Sequence, residues 1–168
     1  MMNKCVFLDR DGTINYDYGY TYLIEDLVIL PDVLDALKII KKRGFLLIVI
    51  TNQSGIARGK YSKRDVEIFN KTINEFLLQK GGFVIDDFYY CPHHVEGIIE
   101  PYNCKCKCRK PNPLLIFEAA NKYNIDLSKS YIIGNTESDM LLGLNAGLKG
   151  AFKVTDNITM MDYIDRIV

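Results

Sequence analysis

The chain has 168 residues, 48% of them apolar, which is the usual size of one domain and enough to bury a core without disulfide staples. Lys+Arg and Asp+Glu both number 21, so the formal net charge is zero, and neither a nucleic-acid groove nor a basic membrane-binding face is expected. No apolar run approaches the length of a bilayer span, and "MMNKCVFLDRDG" at the N-terminus lacks the apolar stretch of a signal peptide, so the expected setting is soluble and cytoplasmic.

In chain order, "CVFLD" (5–9) reads as a buried strand and "DVLDALKIIKKRG" (32–44) as an amphipathic helix closed by Gly44. "FLLIVIT" (45–51) is a second buried strand, followed by a helix over 62–82 with Ser62 as N-cap. "IDDFYYC" (85–91) is a third strand, and 112–124 is a helix with Pro113 near its start, where proline fits. "SYIIGN" (130–135), a helix over 137–147 ending at Gly147, and "GAFKV" (150–154) complete the series. Alternating strands and helices, with strands apolar almost throughout, predict a Rossmann-like three-layer α/β fold: a parallel sheet covered by helices on both faces. Residues 1–168 are read as one domain, without repeats or linker composition. Cys5, inside an apolar run, is expected to be a small core residue.

Ligands of such folds bind beyond the C-terminal strand ends, and four groups of polar residues fall there. The first strand delivers Asp9 and Asp11, and the second Thr51, Asn52, Gln53 and Ser54. The loop after the third delivers Arg109 and Lys110, and the fourth is followed by Asn135 and Asp139. Covalent phosphoryl transfer needs this chemistry. One carboxylate attacks phosphorus and a second handles protons. A lysine and a divalent cation neutralise the charge that builds on oxygen. Mg²⁺ also explains two crowded carboxylates at one strand tip, which would otherwise repel. A bare strand-to-turn junction would account for D-x-D-G-T alone, but less well for all four strand ends.

The segment 91–111, "CPHHVEGIIEPYNCKCKCRKP", has neither helical nor strand period and carries four of the five cysteines. In a reducing compartment such crowding points to metal before disulfide. Cys91-x-His93 and, after twelve intervening residues, Cys106-x-Cys108 offer three thiolates and an imidazole, a common tetrahedral Zn²⁺ set. Spacing alone leaves Cys104/Cys106 open beside Cys106/Cys108. Four protein ligands would close the site, so a structural role for zinc is expected, and His94 is read as a surface or supporting residue.

D-x-D-G-T at Asp9–Thr13, Thr51 after an apolar strand, Lys110 and the Gly134–Asp139 segment together resemble the haloacid-dehalogenase (HAD) superfamily of phosphohydrolases. "FLDRDGTIN", "DYGY", "TNQSGIARGK", "YYCPHH" and "CRKP" resemble more closely its D-glycero-D-manno-heptose 1,7-bisphosphate phosphatases, from about Val6 to Gly147. The resemblance implies Asp9 as nucleophile, Asp11 as general acid and then base, and Thr51 and Lys110 holding the phosphoryl oxygens. It implies Mg²⁺ on Asp9, the backbone carbonyl of Asp11 and position 135, with Asp139 a further candidate. Asp17, Tyr18, Gly19, Tyr20, Asn52, Gln53, Ser54 and Arg109 are implied as substrate-binding residues, with Arg109 sensing the sugar phosphate. For zinc it selects Cys91, His93, Cys106 and Cys108. The implied function is removal of one phosphate from a heptose bisphosphate during synthesis of activated heptose; apart from the resemblance, a monomer that binds neither nucleic acid nor membrane is expected.

Two positions depart from the pattern. Asn135 stands where an aspartate is usual, and Thr136 where the closer family carries lysine. A neutral amide oxygen can ligate Mg²⁺ but contributes no charge. Asn135 motivates one alternative, a weakly active or non-catalytic binder of sugar phosphates or of a partner. The other, histidinol-phosphate phosphatase, rests on the shared D-x-D-G-T, T-N-Q and metal loop, and a zinc module binding nucleic acid ranks last, given the neutral charge. Only 41 residues separate Asp9 from Thr51, too few for a large cap domain, so short loops, 15–26 and the zinc loop, are expected to govern access. The tyrosines at 16, 18, 20 and 22 fit equally a site lining or a packed hairpin flap.

Overall fold

The computed structural model describes residues 2–168. Five parallel strands, β1 (Cys5–Leu8), β2 (Leu46–Asn52), β3 (Asp87–Cys91), β4 (Tyr131–Gly134) and β5 (Gly150–Lys153), form one sheet in the order β3-β2-β1-β4-β5. Between them run α1 (Val33–Lys42), α2 (Lys63–Gly81), α3 (Leu114–Tyr123) and α4 (Glu137–Ala146). This is the three-layer α/β architecture expected from the alternation, with each strand and helix close to its expected bounds.

Strand alternation divides the core in two. Val6, Leu8, Leu47, Val49 and Ile133 face α1 and α2, with Leu37, Ile40, Phe69 and Ile73 packed on them. Cys5, Phe7, Ile48, Ile50 and Ile132 face α3 and α4, meeting Ile116, Ala119 and Leu142. Cys5 is thus a core residue, and burial pushes its thiol pKa well up.

Local signals explain the helix bounds. The Ser62 Oγ accepts from the Asp65 N–H at 3.2 Å while the Asp65 carboxylate accepts from the Ser62 N–H at 2.7 Å, a capping box that starts α2. Gly147, at φ 71°, ends α4 in the left-handed conformation. Three short 3-10 helices, Ile24–Asp26, Leu127–Lys129 and Met161–Arg166, lie outside the sequence expectations. The last seats Ile164 and Ile167 in the core beside α1, where the Arg43 guanidinium donates to the carbonyls of both.

The sheet order positions the site. From β1 the chain builds outward through β2 to β3, then returns across the sheet to β4 on the other side of β1. The tips of β1 and β4 therefore flank the topological switch, where a crevice opens. Asp9 follows β1 and Asn135 follows β4, and the Asp9 N–H donates to Ile133 O at 2.9 Å, tying the two tips together. No large cap domain interrupts the described residues.

Candidate functional site

A cavity of about 380 Å³ opens at this end of the sheet, lined among others by Asp9, Asp11, Asp17, Thr51, Lys110 and Asn135. Asp9, Thr51, Lys110 and Asp139 are buried, so the charges at its floor cannot rely on water. Lys110 Nζ lies 2.8 Å from Asp9 Oδ1 and 2.6 Å from Asp139 Oδ1. Burial pushes the Asp9 pKa up to about 6, against the attraction of Lys110 and with the repulsion of Asp139. For Lys110 burial favours the neutral amine, but the two carboxylates outweigh it and its pKa is raised. Asp9 Oδ1 also accepts from the Arg10 N–H at 2.8 Å, whereas Oδ2 has no hydrogen-bond partner among the described residues.

Asp11 is oriented by four donor nitrogens from three residues. Arg10 grips it with Nε at 3.0 Å and Nη2 at 2.9 Å, and Asn15 Nδ2 and Gln53 Nε2 complete the hold at 3.1 and 2.9 Å. Arg10 is fully buried; Nη2 also donates to Thr21 O, Nη1 to Asn70 Oδ1, and the guanidinium lies over the Phe69 ring. This buried arginine was not singled out in the sequence. The only signal was its place between two acids.

Gly12 has φ 75°, and a Cβ there would stand 2.1 Å from Asn135 Nδ2. The first loop and the β4 tip can approach this closely only with glycine. Asn135 Oδ1 is buried and has no hydrogen-bond partner. A hard oxygen donor without a partner, on a cavity shared with Asp9 and Asp11, fits a hard cation such as Mg²⁺. Asp139 is differently engaged: Oδ1 accepts from Lys110, and Oδ2 accepts from Thr136 N–H at 3.0 Å and Thr136 Oγ1 at 2.7 Å. It holds the lysine and caps α4.

Of the expected substrate residues, Asp17, Gly19, Tyr20, Asn52, Ser54 and Arg109 line the cavity. Asn52 also clamps the Lys110 backbone, its Oδ1 accepting from Lys110 N–H at 3.0 Å. Gln53 and Tyr18 are not among the lining residues. Gln53 is buried and braces Asp11 and Thr51, with Tyr61 donating to its Oε1 at 2.6 Å. Tyr18 is exposed because its N–H is held by Thr21 Oγ1 and its ring stacks on Tyr16. No strand runs through the tyrosine segment, but residues 14–16 and 28–30 pair antiparallel around the Asn15–Ile29 bridge. Tyr16 N–H donates to Val28 O and Leu30 N–H to Ile14 O, both at 2.9 Å. The tyrosines thus sit on a loop closed at its base like a flap, while Tyr20 also lines the cavity. Tyr61, which also lines the cavity, was missed.

Beyond β3, the ligand atoms of Cys91, His93, Cys106 and Cys108 lie within 4.8 Å of one another. Cys91 and Cys108 Sγ are 3.1 Å apart, and His93 Nδ1 is 3.3 Å from Cys108 Sγ. Burial and the neighbouring thiol of Cys108 raise the Cys91 pKa, while at Cys106 burial is outweighed by hydrogen bonds with Cys91 and Cys108. Three sulfurs and one imidazole at this spacing fit Zn²⁺. Cys104 is exposed and outside the cluster, so the geometry favours the Cys106/Cys108 pair. The cluster also bears on the cavity, because Arg109 follows Cys108 and its Nη1 donates to His93 O at 3.4 Å. His94 stands between Arg58 and Glu96, and burial followed by Arg109 and Arg58 lowers its pKa.

Comparison with known proteins agrees with this geometry. A family model described as HAD-hydrolase-like matches residues 107–162. The chain is 44% identical to the D-glycero-beta-D-manno-heptose-1,7-bisphosphate 7-phosphatase of Helicobacter pylori strain J99, over 92% of this chain and 85% of the relative. It is 40% identical to the protein of that name from Escherichia coli K12, over 92% and 81%. Among solved structures, a candidate HAD-like phosphatase from Mesorhizobium loti superposes with a TM-score of 0.90 at 31% identity, over 99% of this chain and 86% of that one. The D,D-heptose 1,7-bisphosphate phosphatase of B. bronchiseptica, solved with magnesium and phosphate, shares the fold with a TM-score of 0.82 at 23% identity, over 98% and 97%. With identity this high over most of both sequences, the chain belongs to the D-glycero-beta-D-manno-heptose-1,7-bisphosphate 7-phosphatases, a HAD-like family of phosphoric monoester hydrolases.

Proposed function

We propose that this protein hydrolyses the 7-phosphate of a D-glycero-D-manno-heptose 1,7-bisphosphate through a phosphoryl group carried on Asp9, with Mg²⁺ at the reacting centre and Zn²⁺ in the loop. The observation that carries the reading is Lys110 bridging Asp9 and Asp139 on the floor of a cavity that Thr51 and Asp11 share. The names of its relatives support the substrate.

Asp9 Oδ2 is the attacking atom, since Oδ1 is occupied by Lys110 and the Arg10 N–H. It forms a bond to phosphorus as the bond from phosphorus to the sugar oxygen breaks. Asp11 gives that oxygen a proton, and the heptose 1-phosphate leaves. Asp11, now a carboxylate, takes a proton from water, and the water oxygen attacks phosphorus and frees Asp9. Thr51 Oγ1 and Lys110 Nζ hold the phosphoryl oxygens. Arg10, Asn15 and Gln53 keep the acid–base carboxylate in one orientation through both steps. Asp9, Asn135 and the Asp11 carbonyl would hold Mg²⁺, which supplies charge neutralisation at the phosphoryl oxygens. Zinc held by Cys91, His93, Cys106 and Cys108 would fix the loop that presents Arg109 and Lys110, and Arg109 would meet the second phosphate. The described chain acts as a single domain in this reading.

The test is phosphate release from heptose 1,7-bisphosphate, with and without Mg²⁺, beside histidinol phosphate. One phosphate per heptose, dependent on Mg²⁺ and much faster than from histidinol phosphate, is expected. Preference for histidinol phosphate, or indifference to Mg²⁺, would refute the reading.

A further inference from the structure

The charges around the reacting centre do not balance. Asp9 and Asp139 share one cation, Lys110. Asp11 has Arg10 to itself. Asp17 and Arg109 line the same cavity with opposite charges, which cancel in the sum. Lys110 and Arg10 thus offset two of the three remaining carboxylates, and the centre has a net charge of about −1 with Asp11 ionised and about zero when Asp11 carries the proton it delivers. The group at the β4 tip that completes the oxygen donors is the Asn135 amide, which is neutral, and its Oδ1 is buried without a partner. Its neighbour Thr136 is also uncharged, with its hydroxyl spent on Asp139.

A centre of this charge attracts a divalent cation less than one with a further carboxylate would. It also repels a phosphate dianion less, whether the cation is present or not. The amide therefore moves binding energy from the metal to the phosphoryl group. Resting on the reading above, we propose that Asn135 sets this balance, so that the protein holds Mg²⁺ more weakly, and a phosphorylated ligand more tightly, than it would with a carboxylate at this position. Asn135 is a positioning and charge-setting residue; the covalent chemistry stays with Asp9 and Asp11.

Asn135→Asp is nearly isosteric and adds one charge. Titration calorimetry with MgCl₂ alone, and with inorganic phosphate in the absence and presence of Mg²⁺, reads both affinities without turnover. The variant is expected to bind Mg²⁺ roughly tenfold or more tightly than the native chain and inorganic phosphate several-fold more weakly, shifts of opposite sign. A merely structural disturbance would weaken both. Asn135→Ala, which removes the oxygen without adding charge, is expected to weaken Mg²⁺ and leave phosphate within about twofold of the native value. Affinities that do not respond, or that move together in Asn135→Asp, would overturn the proposal. So would native Mg²⁺ affinity in Asn135→Ala. If none of the three proteins binds Mg²⁺ with or without phosphate, the metal-dependent reading fails, and the inference with it; binding that ignores residue 135 sinks the inference alone.

Discussion

Lys110 shows how much a single residue carries. Its ammonium is nearly fully buried between Asp9 and Asp139, so removing it leaves two carboxylates facing each other in a dry site. Lys110→Met is expected to abolish turnover and to cost roughly 3–5 kcal/mol, read as a lowered denaturant midpoint. Unchanged stability would mean that the pair is hydrated and of little structural weight. Gly12→Ala should cost roughly 1–3 kcal/mol, because φ is positive there and the methyl would displace Asn135. A variant as stable as the parent would show that the loop can shift. At this scale the sequence was informative about which residues meet but not about how they turn. Strand-end position and charge singled out Asp9, Asp11 and Lys110. Arg10 turns inward because Asp11, Asn70 and the Thr21 carbonyl await it, and of those acceptors Thr21 lies in the following loop and Asn70 on α2, 60 residues away. Gln53 and Asn52, expected against substrate, spend their amides on Asp11 and on the Lys110 backbone for the same reason.

At the scale of elements, the helices were legible because their signals are local. Ser62→Ala removes the capping box of α2 and, since Ser62 itself does not line the cavity, should cost about 1 kcal/mol with turnover unchanged. A large loss of activity would link this helix end to the site. The zinc loop was legible in composition but not in pairing from spacing alone, since Cys104 and Cys108 flank Cys106 at equal spacing; the resemblance selected Cys106 and Cys108, and the folded loop brings that pair to Cys91 and His93. Cys108→Ser is expected to lose bound zinc, measured by elemental analysis, and to lower kcat at least tenfold as Arg109 and Lys110 lose their anchor. Cys104→Ser should retain zinc. Zinc kept by the first variant, or lost by the second, would contradict the ligand assignment. The 3-10 helix at Met161–Arg166 went unread because it is too short to show a period, and its burial depends on α1.

For the molecule as a whole, alternating apolar strands and amphipathic helices announced a parallel sheet, but not the order of its strands. That order decides the function, because placing β4 beside β1 brings Asn135 and Asp139 to Asp9 from more than a hundred residues away in the chain. Every reacting group proposed here then lies at one end of one sheet, held by charge pairs that only the assembled fold completes. The most direct check is to quench the protein in acid during turnover of the heptose bisphosphate and locate the phosphoryl group by peptide mass spectrometry. The added mass should be on the peptide carrying Asp9, and in Asp9→Asn both that adduct and turnover should vanish. A phosphoryl group on another residue, or full turnover by Asp9→Asn, would contradict the mechanism.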